Sequence, residues 1–281
     1  MPNSTVKTVP DFHGLSIDIA LKNAPLVPLE NRILAGHALG LSRIQLITQS
    51  QRVLTAEEAQ RLADLFQRRL DGEPIAYIVG EREFYGLPFY VSPGVLIPRP
   101  ETELLVELVL ERLPENGSVL DMGTGSGIIA VAIAHARPDA KVVALDISPA
   151  ALEIARRNAS RHGVDIDFLQ SDWYAALGDA HFDLIVANPP YIVKDDVHLS
   201  QDDLRFEPVD ALTDHGDGLL ALRAIASGSS DHLVPAGWLL MEHGYDQAEA
   251  VRELLTGQGF SEVQSWRDLA EIERVTGGVG P

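Results

Sequence analysis

Residues 183 to 192 read Asp183-Leu184-Ile185-Val186-Ala187-Asn188-Pro189-Pro190-Tyr191-Ile192. A continuous Val/Ile/Leu run of this kind is the pattern of a strand buried on both faces of a parallel sheet. It ends abruptly, because Pro189 and Pro190 carry no N–H donors and have a fixed φ. The residue before each proline is also kept out of the α region, so the turn is stiff. In open α/β sheets, ligands sit beyond the carboxyl ends of such strands. The loop therefore presents the Asn188 amide, bare backbone carbonyls and the Tyr191 ring in fixed positions. Two acceptors, the Asn188 oxygen and the Pro189 carbonyl, suit the two hydrogens of a planar NH2 group. Tyr191 suits its flat face. The competing reading is a proline-capped strand end whose asparagine only closes a turn. The loop alone leaves both open.

The rest of the chain from Ser118 onward alternates strand and helix. Strands are expected at 118–122, 141–146, 166–170, 182–187, 237–242 and 261–266. Helices fall between them, for example Ile128–Ala136 and Pro149–His162. This alternation predicts an α/β fold, a parallel sheet with helices on both faces. Upstream, residues 1–73 read as a small helical bundle. Leu29 to Leu39 is helix-like and stops at Gly40. Thr55-Ala56-Glu57-Glu58 is a capping box that opens an amphipathic helix closed near Gly72. Residues 74–100 read as a linker with a β-hairpin around Gly86, followed by Val95-Leu96-Ile97-Pro98-Arg99-Pro100. Pro100 and the acids after it suit the start of a helix running to about Leu113. Residues 101–281 form the expected catalytic domain.

Val119-Leu120-Asp121-Met122-Gly123-Thr124-Gly125-Ser126-Gly127 is a strand that runs into a glycine loop and then a helix. The spacing is G-x-G-x-G, and Ile128 breaks the dinucleotide pattern G-x-G-x-x-G. Asp146 ends the next strand, where an acid can accept both hydroxyls of a ribose. Its alternative role is a helix cap beside Ser148 and Pro149. Ser171-Asp172-Trp173 follows the third strand, with Trp173 as an aromatic wall and Asp172 as an acceptor for an adenine amino group. Trp173 as a core residue is the plain alternative. Asp121 either holds the glycine loop or meets a charged amino group. Glycine loop, ribose acid, adenine pocket and Asn188 loop fall at the ends of successive strands. S-adenosylmethionine fits this set better than NAD, because it has no pyrophosphate that needs a helix N-terminus. Its methyl group is the electrophile that an amide nitrogen at Asn188 would need.

The chain has 281 residues, 46% of them hydrophobic, enough for a large core. It has no cysteine, which excludes disulfides, thiolate nucleophiles and Cys-ligated zinc. No apolar run reaches the roughly 18 residues of a membrane span, and no secretory signal is visible in the first 30 residues. A cytoplasmic protein without a membrane or metal is expected. The net charge of −19, from 41 acidic and 22 basic residues, opposes binding to a phosphate backbone.

These residues resemble the release factor glutamine methyltransferases, the HemK-type family. Asp121 to Gly127 and Asp146 are shared by many class I methyltransferases. Asn188-Pro189-Pro190-Tyr191 narrows the resemblance to enzymes that methylate planar amino or amide nitrogens. Glu83-Phe84-Tyr85-Gly86, Ile97-Pro98-Arg99-Pro100-Glu101-Thr102-Glu103, Arg205-Phe206-Glu207-Pro208, Glu242-His243-Gly244 and Glu273-Arg274-Val275 narrow it further. The resemblance implies a Rossmann-like class I methyltransferase sheet, mostly parallel and seven-stranded, behind a helical substrate-recognition domain. It implies methylation of the glutamine amide in the Gly-Gly-Gln motif of class 1 peptide chain release factors, with S-adenosylhomocysteine as by-product. Cofactor contacts are expected at Asp121, Gly123, Thr124, Gly125, Ser126, Gly127, Asp146, Asp172, Trp173 and Asn188. Substrate contacts are expected from Asn188, Pro189, Pro190 and Tyr191, with Asn188, Pro189 and Tyr191 carrying the chemistry. A monomer without bound nucleic acid is expected. A ribosomal-protein glutamine, or an adenine amino group in nucleic acid, is the alternative acceptor. One departure is Glu271, where members of the family often carry glycine.

Overall fold

The computed structural model describes residues 8–281, so the first seven residues of the expected 1–73 domain lie outside it. The chain divides into two compact units, one ending at Gly80 and the other beginning at Glu81.

The first unit is helical: α1 (Ile17–Asn23), α2 (Pro28–Leu39), α3 (Arg43–Thr48), α4 (Ala56–Leu70) and α5 (Ile75–Val79). The capping box of α4 forms as the sequence predicts. Thr55 Oγ1 accepts from Glu58 N at 3.2 Å, and Glu58 Oε2 accepts from Thr55 N at 2.9 Å. Gly40 ends α2 in the left-handed conformation. A second capping box, Ser42 with Gln45, starts α3 and was not read from the sequence. The core joins Phe12, Leu34, Leu62 and Phe66. Ile75, Ile78 and Val79 of α5 pack against the same cluster, so the unit continues past Pro74 to Gly80.

The second unit opens with the hairpin β1 (Glu81–Phe84) and β2 (Leu87–Tyr90). Its two-residue turn, Tyr85-Gly86, has φ of 50° and 73°, the double positive φ that matches strand twist in a tight hairpin. A 3-10 turn at Pro100–Thr102 leads into α6 (Glu103–Arg112). Then follow β3 (Ser118–Met122), α7 (Ile128–Ala136), β4 (Lys141–Asp146), α8 (Pro149–His162), β5 (Asp167–Gln170), β6 (Phe182–Ala187), α9 (Leu220–Ser229), β7 (Leu233–Glu242), α10 (Ala248–Gly257), β8 (Ser261–Arg267) and β9 (Glu273–Val279). Among the described residues the strands form a seven-stranded sheet in the order β5-β4-β3-β6-β7-β9-β8. The first five of these run parallel. β9 is antiparallel to both β7 and β8.

All six expected strands are present. The seventh, β9, escaped the hydrophobic pattern because it begins Glu273-Arg274 and contains Gly277 and Gly278. The backbone of Leu239 leaves no room for a Cβ at Gly277, which explains a glycine inside a strand. β7 also begins earlier than expected, at Leu233, with a register shift against β6 between Phe182 and Leu184. In the turn between β8 and β9, Glu271 has φ 62°, in the left-handed region where the family's glycine sits without strain.

β3 and β6 are neighbours, and the chain leaves them in opposite directions across the sheet. This is the topological switch point, where a crevice opens beyond the strand ends. α7 is buried along Ile128–Ala134 and α8 begins under a Ser148 cap, so both helices are fixed against the sheet just beyond that crevice. Among the described residues no helix is long and apolar enough to cross a membrane.

Candidate active site

Register sets the site. Met122 pairs with Leu145 on one side and with Ala187 on the other, and Ala187 pairs with Met241. The next residues, Gly123, Asp146, Asn188 and Glu242, therefore emerge side by side at the carboxyl edge of four adjacent strands.

A cavity of about 330 Å³ opens along this edge. Of the expected cofactor residues, Gly123, Thr124, Gly125, Ser126, Asp146, Asp172, Trp173 and Asn188 line it. Gly123 and Gly125 have φ of 71° and 55°, and a Cβ on either would project into open space. The loop thus offers bare backbone to a ligand. Asp146 Oδ2 accepts from Gly125 N and Oδ1 from Ser148 N, both at 2.9 Å. The acid therefore ties the glycine loop to the start of α8, and burial raises its pKa. Trp173 has φ 45° and is held by Ser171, whose Oγ donates to the Trp173 carbonyl at 2.6 Å.

Asp121 and Gly127 do not line the cavity. Asp121 is wholly buried beneath the loop, where Oδ2 accepts from Thr124 Oγ1 at 2.6 Å and from Ala130 N at 3.2 Å. Of its two roles, holding the loop is the one that these bonds support. Burial pushes its carboxyl up to about 7. Gly127, φ 83°, is the N-cap of α7, and a Cβ there would lie 3.0 Å from the Ala155 Cβ. Its lack of a side chain serves the close packing of α7 on α8.

A second cavity of about 100 Å³ lies on the other side of the Asn188 loop, lined by Asn188, Pro189, Tyr191, Arg99, Leu204 and Glu242, among others. Asn188 is the expected residue common to both cavities; Pro190 faces the first, and Pro189 and Tyr191 face the second. Asn188 Nδ2 donates to Thr102 Oγ1 at 3.1 Å, which leaves the amide oxygen on the opposite edge. Gln247 Nε2 donates to the Tyr191 carbonyl at 3.1 Å and pins the loop from α10. Burial raises the Tyr191 hydroxyl far above its usual range, so it stays protonated.

Three site residues escaped the sequence reading of the chemistry. Thr102, Glu207 and Glu242 stood there only within family motifs. Glu207 receives Ile97 N at 2.9 Å and pairs with Arg99, so it clasps the two segments that wall both cavities. For Glu242 a usable signal existed: an acid that ends an apolar strand, like Asp146.

The Methyltransferase small domain family matches residues 100–235, and the PrmC N-terminal domain matches residues 19–80. A Burkholderia pseudomallei protein named release factor glutamine methyltransferase is 54% identical over 267 residues, covering 92% of this chain and 94% of that one. The chain belongs to the release factor glutamine methyltransferase family. The Escherichia coli K12 member of that family is 47% identical over 246 residues, covering 87% of this chain and 89% of its own. Solved structures agree on the fold. A 16S rRNA N2 G1207 methyltransferase from T. thermophilus superposes with a TM-score of 0.54 at 24% identity, over 72% of this chain and 50% of that one. A Pyrococcus furiosus methyltransferase superposes with a TM-score of 0.55 at 19% identity, over 76% of this chain and 98% of that one. The expected class I methyltransferase architecture is thus the one that this release factor glutamine methyltransferase relative adopts.

Proposed function

We propose that the protein methylates the side-chain amide nitrogen of the glutamine in the Gly-Gly-Gln motif of class 1 release factors, acting as a monomeric cytoplasmic enzyme. The observation that carries this reading is Asn188 standing between two cavities, with its Nδ2 engaged by Thr102 and its oxygen free. The first cavity suits S-adenosylmethionine: a backbone cradle at Gly123 and Gly125, an acid at Asp146 for the ribose, and Asp172 with Trp173 for the adenine. When bound, that group supplies an electrophilic methyl.

The chain's own residues do the remaining work. A primary amide nitrogen is a poor nucleophile, because its lone pair is delocalised into the carbonyl. The Asn188 oxygen and the Pro189 carbonyl take its two hydrogens and orient the lone pair across the gap between the cavities. Tyr191, neutral and fixed, covers the amide plane. Holding both reactants in attack geometry contributes about 7–11 kcal/mol. Fixed acceptors also stabilise the positive charge that grows on nitrogen. The methylated nitrogen is acidic, so no strong base is needed to remove its surplus proton. The 1–80 unit is the part of the chain that we assign to recognition of the factor.

The relatives' names speak for a release factor rather than a ribosomal protein, and the acidic charge speaks against nucleic acid. The test is transfer from methyl-labelled S-adenosylmethionine to a purified class 1 release factor and to its Gln→Ala variant in the Gly-Gly-Gln motif. Label on the unaltered factor only is the expected result. Equal label on both sinks the acceptor assignment.

A further inference from the structure

Among the described residues that line the second cavity, Glu242 is the acid, and its carboxyl lacks a full set of partners. It is 2% exposed and ends β7 one register beyond the Ala187–Met241 pair, which places it beside Asn188. The Tyr191 hydroxyl donates to Oε1 at 3.4 Å. Thr102 is wholly buried; its Oγ1 receives Asn188 Nδ2, and its hydroxyl also faces the Glu242 carboxyl. Among the described residues Glu242 Oε2 has no hydrogen-bond partner, although it is buried. Leaving such an oxygen unpaired is costly, so a native site that retains one has a use for it.

We propose that Glu242 is the positioning residue of the acceptor slot, and that it selects a primary amide over a carboxylate there. The inference rests on the reading of that slot as the glutamine site. Through Oε1 it fixes the Tyr191 ring, and through Thr102 it holds the orientation of Asn188. Oε2 stays unpaired at the edge of the slot, while the two NH2 hydrogens go to the Asn188 oxygen and the Pro189 carbonyl. A glutamine side chain offers both hydrogens and brings no charge. A glutamate side chain offers none and brings a second negative charge into a buried slot.

The groups around the carboxyl set its titration. Tyr191 and Thr102 face it with hydroxyls, Arg274 reaches it from β9, and Glu101 opposes it from the 3-10 turn. Arg99 lies along the same cavity, and His243, the residue after the strand, is occupied by the Gly244 carbonyl and Thr276 Oγ1. Burial outweighs the rest and pushes the carboxyl up to about 7. Rejection of glutamate therefore strengthens as pH rises through about 7 and Glu242 becomes charged.

The test compares wild type with Glu242→Gln, which keeps the size and the Oε1 acceptor but cannot carry charge. Calorimetric binding of release factor with Gln, or with Glu, at the acceptor position is measured at pH 6 and pH 8 in the presence of S-adenosylhomocysteine. For wild type we expect a preference for Gln that grows about tenfold between these pH values. For Glu242→Gln we expect that growth to vanish and kcat to fall at least about tenfold, with S-adenosylhomocysteine affinity held and the melting temperature unchanged at pH 6. A variant with wild-type preference at both pH values overturns the proposal. So does one that loses S-adenosylhomocysteine affinity in parallel, because the role is then structural. A wild type that transfers no methyl to the Gln-bearing factor, whatever the variant does, refutes instead the reading of the slot.

Discussion

Asn188 carries the account at the scale of single residues. Its side chain is half-buried, bonded at one end to Thr102 and open at the other to both cavities. Asn188→Ala removes one of two fixed acceptors and leaves the cofactor cradle intact. We expect turnover to fall by about 10²–10³, the cost of losing one preorganised polar contact. Near-normal turnover would refute the role. Glu271 makes a different claim. Its φ of 62° places a side chain in the left-handed region, in a turn already tied by Asp268 to Ala270 N and Ile272 N. Glu271→Gly relieves that strain, and chemical denaturation should show a gain of about 1 kcal/mol. A loss of stability would mean that the turn does not depend on this conformation.

Elements show which parts of the fold sequence reasoning can reach. The α4 capping box, the Ser148-Pro149 start of α8 and the tight hairpin turn are local events, set by residues within three or four positions of each other. They were legible for that reason. So was much of the lining of the first cavity, because Gly123, Asp146 and Asn188 each follow directly from a strand end. β9 was not legible, since its glycines answer to the backbone of a strand distant in sequence. The Glu242–Thr102–Asn188 cluster was also hidden. Three segments meet there only through the pairing of β6 with β7 and the docking of the 3-10 turn. Nothing in the local sequence pairs Arg99 with Glu207, whose carboxyl is wholly shielded and holds the Ile97 amide as well. Gly127 gives the test at this scale. Gly127→Ala meets both a positive φ and the Ala155 Cβ, so α7 must move off α8. A loss of about 1–3 kcal/mol is expected in denaturant titration, with weaker cofactor binding as the loop shifts. A stable variant with full affinity would show that the two helices have slack.

For the whole molecule, the site is maintained against stability. Asp121 and Glu242 are buried carboxyls, each pushed up to about 7, and among the described residues each keeps one oxygen unpaired. The folded chain therefore holds protons that the unfolded chain releases near pH 4. Between about pH 4 and pH 7 the folded state binds more protons, so stability falls as pH rises through that window. The ligand-free protein should show a melting temperature that declines from pH 5 to pH 8. Asp121→Asn and Glu242→Gln should each flatten that decline. A melting temperature that rises over this range, or variants with the wild-type slope, would show that these acids are not buried in the manner described.

The central claim is that an amide nitrogen of glutamine receives the methyl at Asn188. The most direct measurement is fragment-ion mass spectrometry of a class 1 release factor after reaction with S-adenosylmethionine and either wild type or Asn188→Ala. A single methyl group on the side chain of the Gly-Gly-Gln glutamine is expected with wild type, formed at a rate lower by about 10²–10³ with the variant. A methyl on any other residue, or equal rates for the two proteins, would contradict it.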